Sequence, residues 1–126
     1  MPAKRAPLVL YHILDSIDDY NSIVGSATIA SLAADRPRRY AAERCVQIIS
    51  EASRRIPPEW KAEHPSVPWQ DIAGIGSVIR HNYEDTNPIV IVGLRGERLE
   101  NLKVAVVALL EKYDPEGWPF RKRQLK

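Results

Sequence analysis

Residues 80–85 run Arg-His-Asn-Tyr-Glu-Asp and gather most of what phosphodiester chemistry asks of a protein. A histidine titrates near neutrality, so His81 could take a proton from a ribose hydroxyl or return one to a leaving oxygen. An arginine stabilises the charge that builds on a phosphorane, which is the role Arg80 could fill. Asn82 and Tyr83 offer hydrogen bonds to RNA or a phosphate, and the Tyr83 hydroxyl could carry a modification. Ser77 lies one helical turn before His81. Glu51, on an earlier helix, could support His81 or Arg80 from behind, and it reads equally well as an exposed helix acid. On periodicity alone the cluster is also the solvated C-terminal end of a helix, where His81 suits the helix dipole.

Other chemistries lack their residues. One cysteine, Cys45, excludes an intramolecular disulfide and a multi-cysteine metal site. It lies on an apolar stripe, where a small buried hydrophobe is expected rather than a nucleophile. His12 sits beside the apolar face of the first helix and His64 lies in a loop; neither has metal-ligand spacing to other donors. No phosphate loop, nucleophile elbow or dinucleotide fingerprint is present. Gly74-Ile75-Gly76 falls within a helical pattern with no strand before it, so it reads as a point of close helix approach or a kink. No metal and no cofactor are expected.

The elements that must position the cluster are helices. Prolines at 2, 7, 37, 57, 58, 65, 68, 88, 115 and 119 leave the windows 8–36, 38–56, 69–87 and 89–114 uninterrupted. Each window carries apolar residues at the 3.6 period. The second has Ala41, Cys45, Ile48, Ile49, Ala52 and Ile56, with Arg44, Gln47, Glu51 and Arg54 off the stripe. The last has Leu99, Leu102, Val106, Leu109, Leu110 and Tyr113. In the third, Trp69, Ile72, Ala73, Gly76, Ile79 and Tyr83 line one side, and Ser66, Pro68 and Asp71 supply a start signal. A shorter apolar piece spans 29–34. The β-branched run Ile89–Val92 favours strand on propensity, but no other run could pair with it. A short buried helix or turn after Pro88 is expected instead, with Gly93 and Gly96 separating it from the last helix. The predicted fold is all-α: an up-and-down bundle of four long helices plus short extra helices.

The same residues carry a family resemblance. Pro68-Trp69, Ile72-Ala73-Gly74, His81 and Tyr83 fall in register on the pattern of the HepT-like toxin family of the HEPN superfamily. Tyr40 to Arg44 and Ile48 to Ala52 resemble an upstream helix of that family, with Ser50 in place of a glycine. Pro57-Pro58-Glu59-Trp60 resembles its continuation. The resemblance extends from about the first helix to Tyr113. It implies an all-α bundle that forms a homodimer, with two R-x4-6-H motifs in a shared cleft. It further implies metal-independent cleavage of RNA, and pairing with a nucleotidyltransferase antitoxin of the MntA type that in some systems attaches AMP to the tyrosine of the motif. Carried over, His81 is the catalytic histidine and Tyr83 the AMP acceptor. The chain departs from the family at one position: the arginine belongs at 74–76, where this sequence has Gly74, Ile75 and Gly76. Arg80 is the nearest arginine and points about 100° away from His81 on a regular helix.

Composition sets the outer limits. Of 126 residues, 44% are hydrophobic and 27% charged, which excludes a disordered chain and a disulfide scaffold. One domain over 1–126 is expected, with 114–126 a basic tail. No apolar run approaches the ~18 residues that span a bilayer, and the MPAKRAP start lacks a signal core, so a cytoplasmic protein with no membrane contact is the expectation. The net charge is +2, but four of the last six residues are basic, and without them 14 bases face 16 acids. The body is therefore no basic nucleic-acid clamp. Arg36, Arg38, Arg39 and Arg44 make a basic helix entry that fits RNA, an acidic partner or plain solvation. Two function classes remain: a ribonuclease toxin using His81 and Arg80, or an inactive bundle that pairs with a nucleotidyltransferase or binds a nucleotide.

Overall fold

Each proline-free window becomes one long helix, two of them with a short companion. The computed structural model describes residues 6–81 and 87–117. Among them the elements are α1 (Ala6–Val24), α2 (Ile29–Ala34), α3 (Arg36–Arg54), α4 (Pro58–Lys61), α5 (Trp69–His81), α6 (Asn87–Gly93) and α7 (Glu97–Tyr113). The fold is all-α, as the periodicity requires. Local chemistry sets the boundaries. Thr28 and Ser31 form a reciprocal capping box at the start of α2. Asp35 caps α3 by accepting from the Arg38 amide, with Pro37 tolerated in the first turn. Gly96, at φ 88, supplies the left-handed turn between α6 and α7. The Ile89–Val92 run is helical, within α6: Pro88 and Ile91 are buried, whereas Ile89 faces solvent.

Cross-contacts at the two ends give the topology. At one end Arg38 donates to the carbonyls of Ile23 (2.6 Å) and Val24 (3.0 Å), so α3 runs back along α1. Arg95, ahead of α7, donates to the carbonyls of Gly25 and Ala27 at this same end. At the other end Tyr11 donates to Asp114 at 2.7 Å, so α7 is also antiparallel to α1. There Trp60 stacks on Tyr113 with centroids 4.1 Å apart, and Glu63 accepts from Lys112 and Tyr113. The long helices thus alternate in direction, up and down.

The core centres on α1. Leu10, Ile13, Leu14 and Ile17 are at most 1% exposed, and α1 packs on both α3 and α7. Each such side chain contributes roughly 1.5–3 kcal/mol by leaving water. The helix α5 is the exception. Among the described residues it packs mainly on α3, and of its thirteen residues only Gly76 and Ile79 are buried. No described helix is long and apolar enough to cross a membrane.

Candidate active site

Helix α5 carries the candidate chemistry, and three sets of contacts fix it. Its start is held by the Trp69 indole, which donates to the carbonyls of Lys61 (3.1 Å) and His64 (3.0 Å). Its middle is locked to α3 through the buried Ser50. The Ser50 hydroxyl donates to the Ala73 carbonyl at 2.8 Å and accepts from the Gly76 amide at 3.1 Å. Arg54 adds two donors to the same Ala73 carbonyl, Nε at 2.9 Å and Nη2 at 2.6 Å. The helices cross so closely that a Cβ at position 76 would lie 2.8 Å from Ser50 Oγ. Gly76 is therefore required by packing. Gly74 is not, since nothing lies within 4 Å of a Cβ there.

The C-terminal end is held by a buried polar chain. Asn87 Nδ2 donates to the Ile79 carbonyl (3.0 Å) and to Glu43 Oε2 (3.1 Å), and Glu43 stands 3.5 Å from Arg39 Nε. Asn87 and Arg39 are each 4% exposed, and the Asn87 bond to the Ile79 carbonyl forms out of water, where a lost partner costs most. The chain ties one of the last carbonyls of α5 to α3 and α6. It thereby fixes the turn from which Arg80 and His81 project.

Both of those side chains are exposed. The His81 Nδ1 lies 2.9 Å from the Ser77 carbonyl, with the Ser77 hydroxyl at 3.4 Å. A carbonyl can only accept, so Nδ1 carries the proton of the neutral ring. Nε2 is then the open lone pair, the arrangement a proton-transferring histidine needs. Arg80 lies one turn beyond Gly76 on the same face, and both line a cavity of about 110 Å³ between α3 and α5 with Gln47, Ser50, Glu51 and Arg54.

Several expectations need restating. Glu51 is exposed and shares a cavity with Arg80, not with His81. Ser77 supports His81 chiefly through its backbone carbonyl. Of the basic entry to α3, Arg38 is spent on the end of α1 and Arg39 is buried beside Glu43, leaving only Arg36 and Arg44 exposed. Asn82 and Tyr83 lie outside the described residues, as does the basic run 121–126. The Arg39–Glu43–Asn87 chain escaped sequence reasoning, although its i, i+4 acid–base spacing was visible. Among the described residues no three histidine, cysteine or acidic groups cluster as a metal site.

The chain is similar to known ribonucleases. Residues 13–109 match a protein-family model described as HepT-like, ribonuclease HepT-like. A candidate RNase of Methanocaldococcus jannaschii, MJ1380, is 29% identical over 106 residues, covering 84% of this chain and 97% of its own. Another, TTE0752 of Caldanaerobacter subterraneus subsp. tengcongensis, is 28% identical over 103 residues, covering 82% and 92%. The probable ribonuclease HepT of Thermococcus cleftensis is 32% identical over 69 residues, covering 55% and 63%. No solved structure matches.

Proposed function

The chain belongs to the HepT-like ribonuclease family, and from that premise we propose that it is a metal-independent endoribonuclease toxin with His81 at its centre. The observation that carries the reading is the His81 ring, held by Nδ1 to the Ser77 carbonyl so that Nε2 carries the lone pair, with Arg80 the preceding residue of the same exposed turn. In the reaction a ribose O2′ bonds to the adjacent phosphorus and the P–O5′ bond breaks. His81 Nε2 takes the 2′-hydroxyl proton as general base, or in its protonated form donates one to the departing O5′ as general acid. Arg80 balances the extra negative charge on the phosphorane. Two protomers would bring two such histidines to one cleft, so that one acts as base and the other as acid. Asn82 and Tyr83 would hold the RNA, Glu51 would stand behind Arg80, and a nucleotidyltransferase antitoxin of the MntA type would silence the toxin by placing AMP on Tyr83.

The test is cleavage of total RNA and tRNA in the presence of chelator, comparing wild type with His81→Ala at matched helicity by circular dichroism. Wild type should cleave, and the variant should lose about 10²–10⁴-fold in rate. Equal cleavage by both would remove His81 from the chemistry. One observation favours a second reading, an inactive module that binds a nucleotide or pairs with a nucleotidyltransferase. The packing at Gly76 closes part of the span where family members carry their arginine. Under that reading wild type leaves RNA intact.

A further inference from the structure

We propose that the cavity between α3 and α5 is a phosphate subsite, holding a backbone phosphate of single-stranded RNA next to the one at His81. This rests on the ribonuclease reading above and adds a place for the substrate that His81 alone does not provide. Gln47, Ser50, Glu51 and Arg54 recur at the spacing that puts them on one face of α3. Gly76 and Arg80, one turn apart on α5, face them across the cavity. At about 110 Å³ it has roughly tenfold the room a single water needs. Gly76, which has no side chain, forms part of its wall.

Three features suit it to a phosphate. Two guanidinium groups face one carboxylate, so the cavity is net positive. Arg54 is not a loose surface arginine: Nε and Nη2 are anchored on the Ala73 carbonyl, which holds the guanidinium at a fixed place in the cavity wall. Such a preset cation forms a charge-assisted bond with little further loss of freedom. Arg80 belongs to the cavity while its neighbour His81 projects about 100° further round the helix. A strand with one phosphate in the cavity would run on past this turn toward His81, with Arg80 between the held phosphate and the reacting one. Gln47 adds an amide donor to the same wall.

The experiment measures binding apart from cleavage. A short fluorescent single-stranded RNA with 2′-O-methyl groups, which cannot be cut, is titrated by anisotropy against the full chain over a salt series. Arg54→Gln should weaken binding about 3–10-fold and flatten the log–log salt slope by roughly 0.7, the loss of one phosphate contact. Gln47→Glu, which sets a second carboxylate beside Glu51, should weaken binding similarly. Gln47→Lys should tighten it. The Gln47 variants leave the Ala73 carbonyl contacts intact, so they decide the matter even where Arg54→Gln fails to fold. Unchanged affinity and slope in the folded variants overturn the subsite. If wild type never cleaves RNA yet these shifts appear, the ribonuclease reading falls and the subsite stands. If wild type cleaves and the shifts are absent, the reverse holds.

Discussion

At Gly76 the two helices that frame the site come within reach of a single missing methyl group. A Cβ there would meet Ser50 Oγ at 2.8 Å and Ser50 Cβ at 3.0 Å. Ser50 cannot turn aside cheaply, because it is buried and bonded to both Ala73 and Gly76. Gly76→Ala should therefore cost about 1–3 kcal/mol as an overpacking change, although alanine is otherwise the better helix former. Gly74→Ala, two residues away with open space around its Cβ, should stabilise by up to about 1 kcal/mol. Thermal unfolding of the two variants should move in opposite directions; a shared direction would mean that the crossing is looser than the contact distance implies. The sequence could place two glycines within a helix, but not say which one was needed, because that depends on a residue 26 positions earlier. The same limit applied to Arg80. Its turn relative to His81 was legible from helix geometry, whereas the cavity it lines with Gln47 and Arg54 joins two helices. Gln47, Glu51 and Arg54 had the spacing of a solvent face, and only the crossing of α5 over α3 turns that face into a cavity wall.

At the level of elements, the short helix α6 is fastened to α1 by one buried phenol. Tyr20 donates to the Ile91 carbonyl from a fully buried position. Burial pushes its hydroxyl up to about 12, against the opposing pull of Arg95. The folded state thus holds this proton more tightly than the unfolded chain, whose tyrosine ionises near 10. The stabilisation is complete below pH 10 and is lost as the pH rises through 12, a change on the order of 3 kcal/mol. Denaturant titrations should show wild type losing its advantage over Tyr20→Phe across that window. The variant should be weaker by about 1 kcal/mol at pH 8, for the lost hydrogen bond. A difference that stays constant from pH 8 to 12 would refute the shifted phenol. Elements of this kind divide by how local their causes are. The four long helices and α2 were legible because prolines bound them and a 3.6-residue stripe fills them. The run Ile89–Val92 pulled toward strand on propensity, and only the lack of a partner strand argued for the helix that forms. The chain from Arg39 through Glu43 and Asn87 to the Ile79 carbonyl was not legible, because it joins α3, α5 and α6 through side chains that composition counts as surface.

Considered whole, the molecule buries its helices unequally, and the inequality bears on how the site would be completed. Helix α1 is enclosed by α3 and α7, whereas α5 leans on α3 and leaves Ile72 and Ile75 half covered and Val78 at 43% exposure. Gly74, with nothing within 4 Å of a Cβ, lies one turn from Val78 on the uncovered side, and His81 follows three residues later. A second copy laid across the Gly74–Val78 side would cover Val78, use the small Gly74 for close approach and bring two His81 rings toward one cleft. In a twofold pairing each substitution acts twice. Val78→Asp would forfeit the burial of two valines, about 1.5–3 kcal/mol each, and set two carboxylates in the interface. The expected result is a loss of at least about 100-fold in dimer affinity, with helicity unchanged. In sedimentation wild type should run as a dimer and the variant as a monomer, and RNA cleavage should fall with the dimer. His81→Ala, by contrast, should keep the dimer and lose cleavage. A wild-type monomer that cleaves RNA at full rate would put both proton transfers on one His81 and end the shared-cleft arrangement.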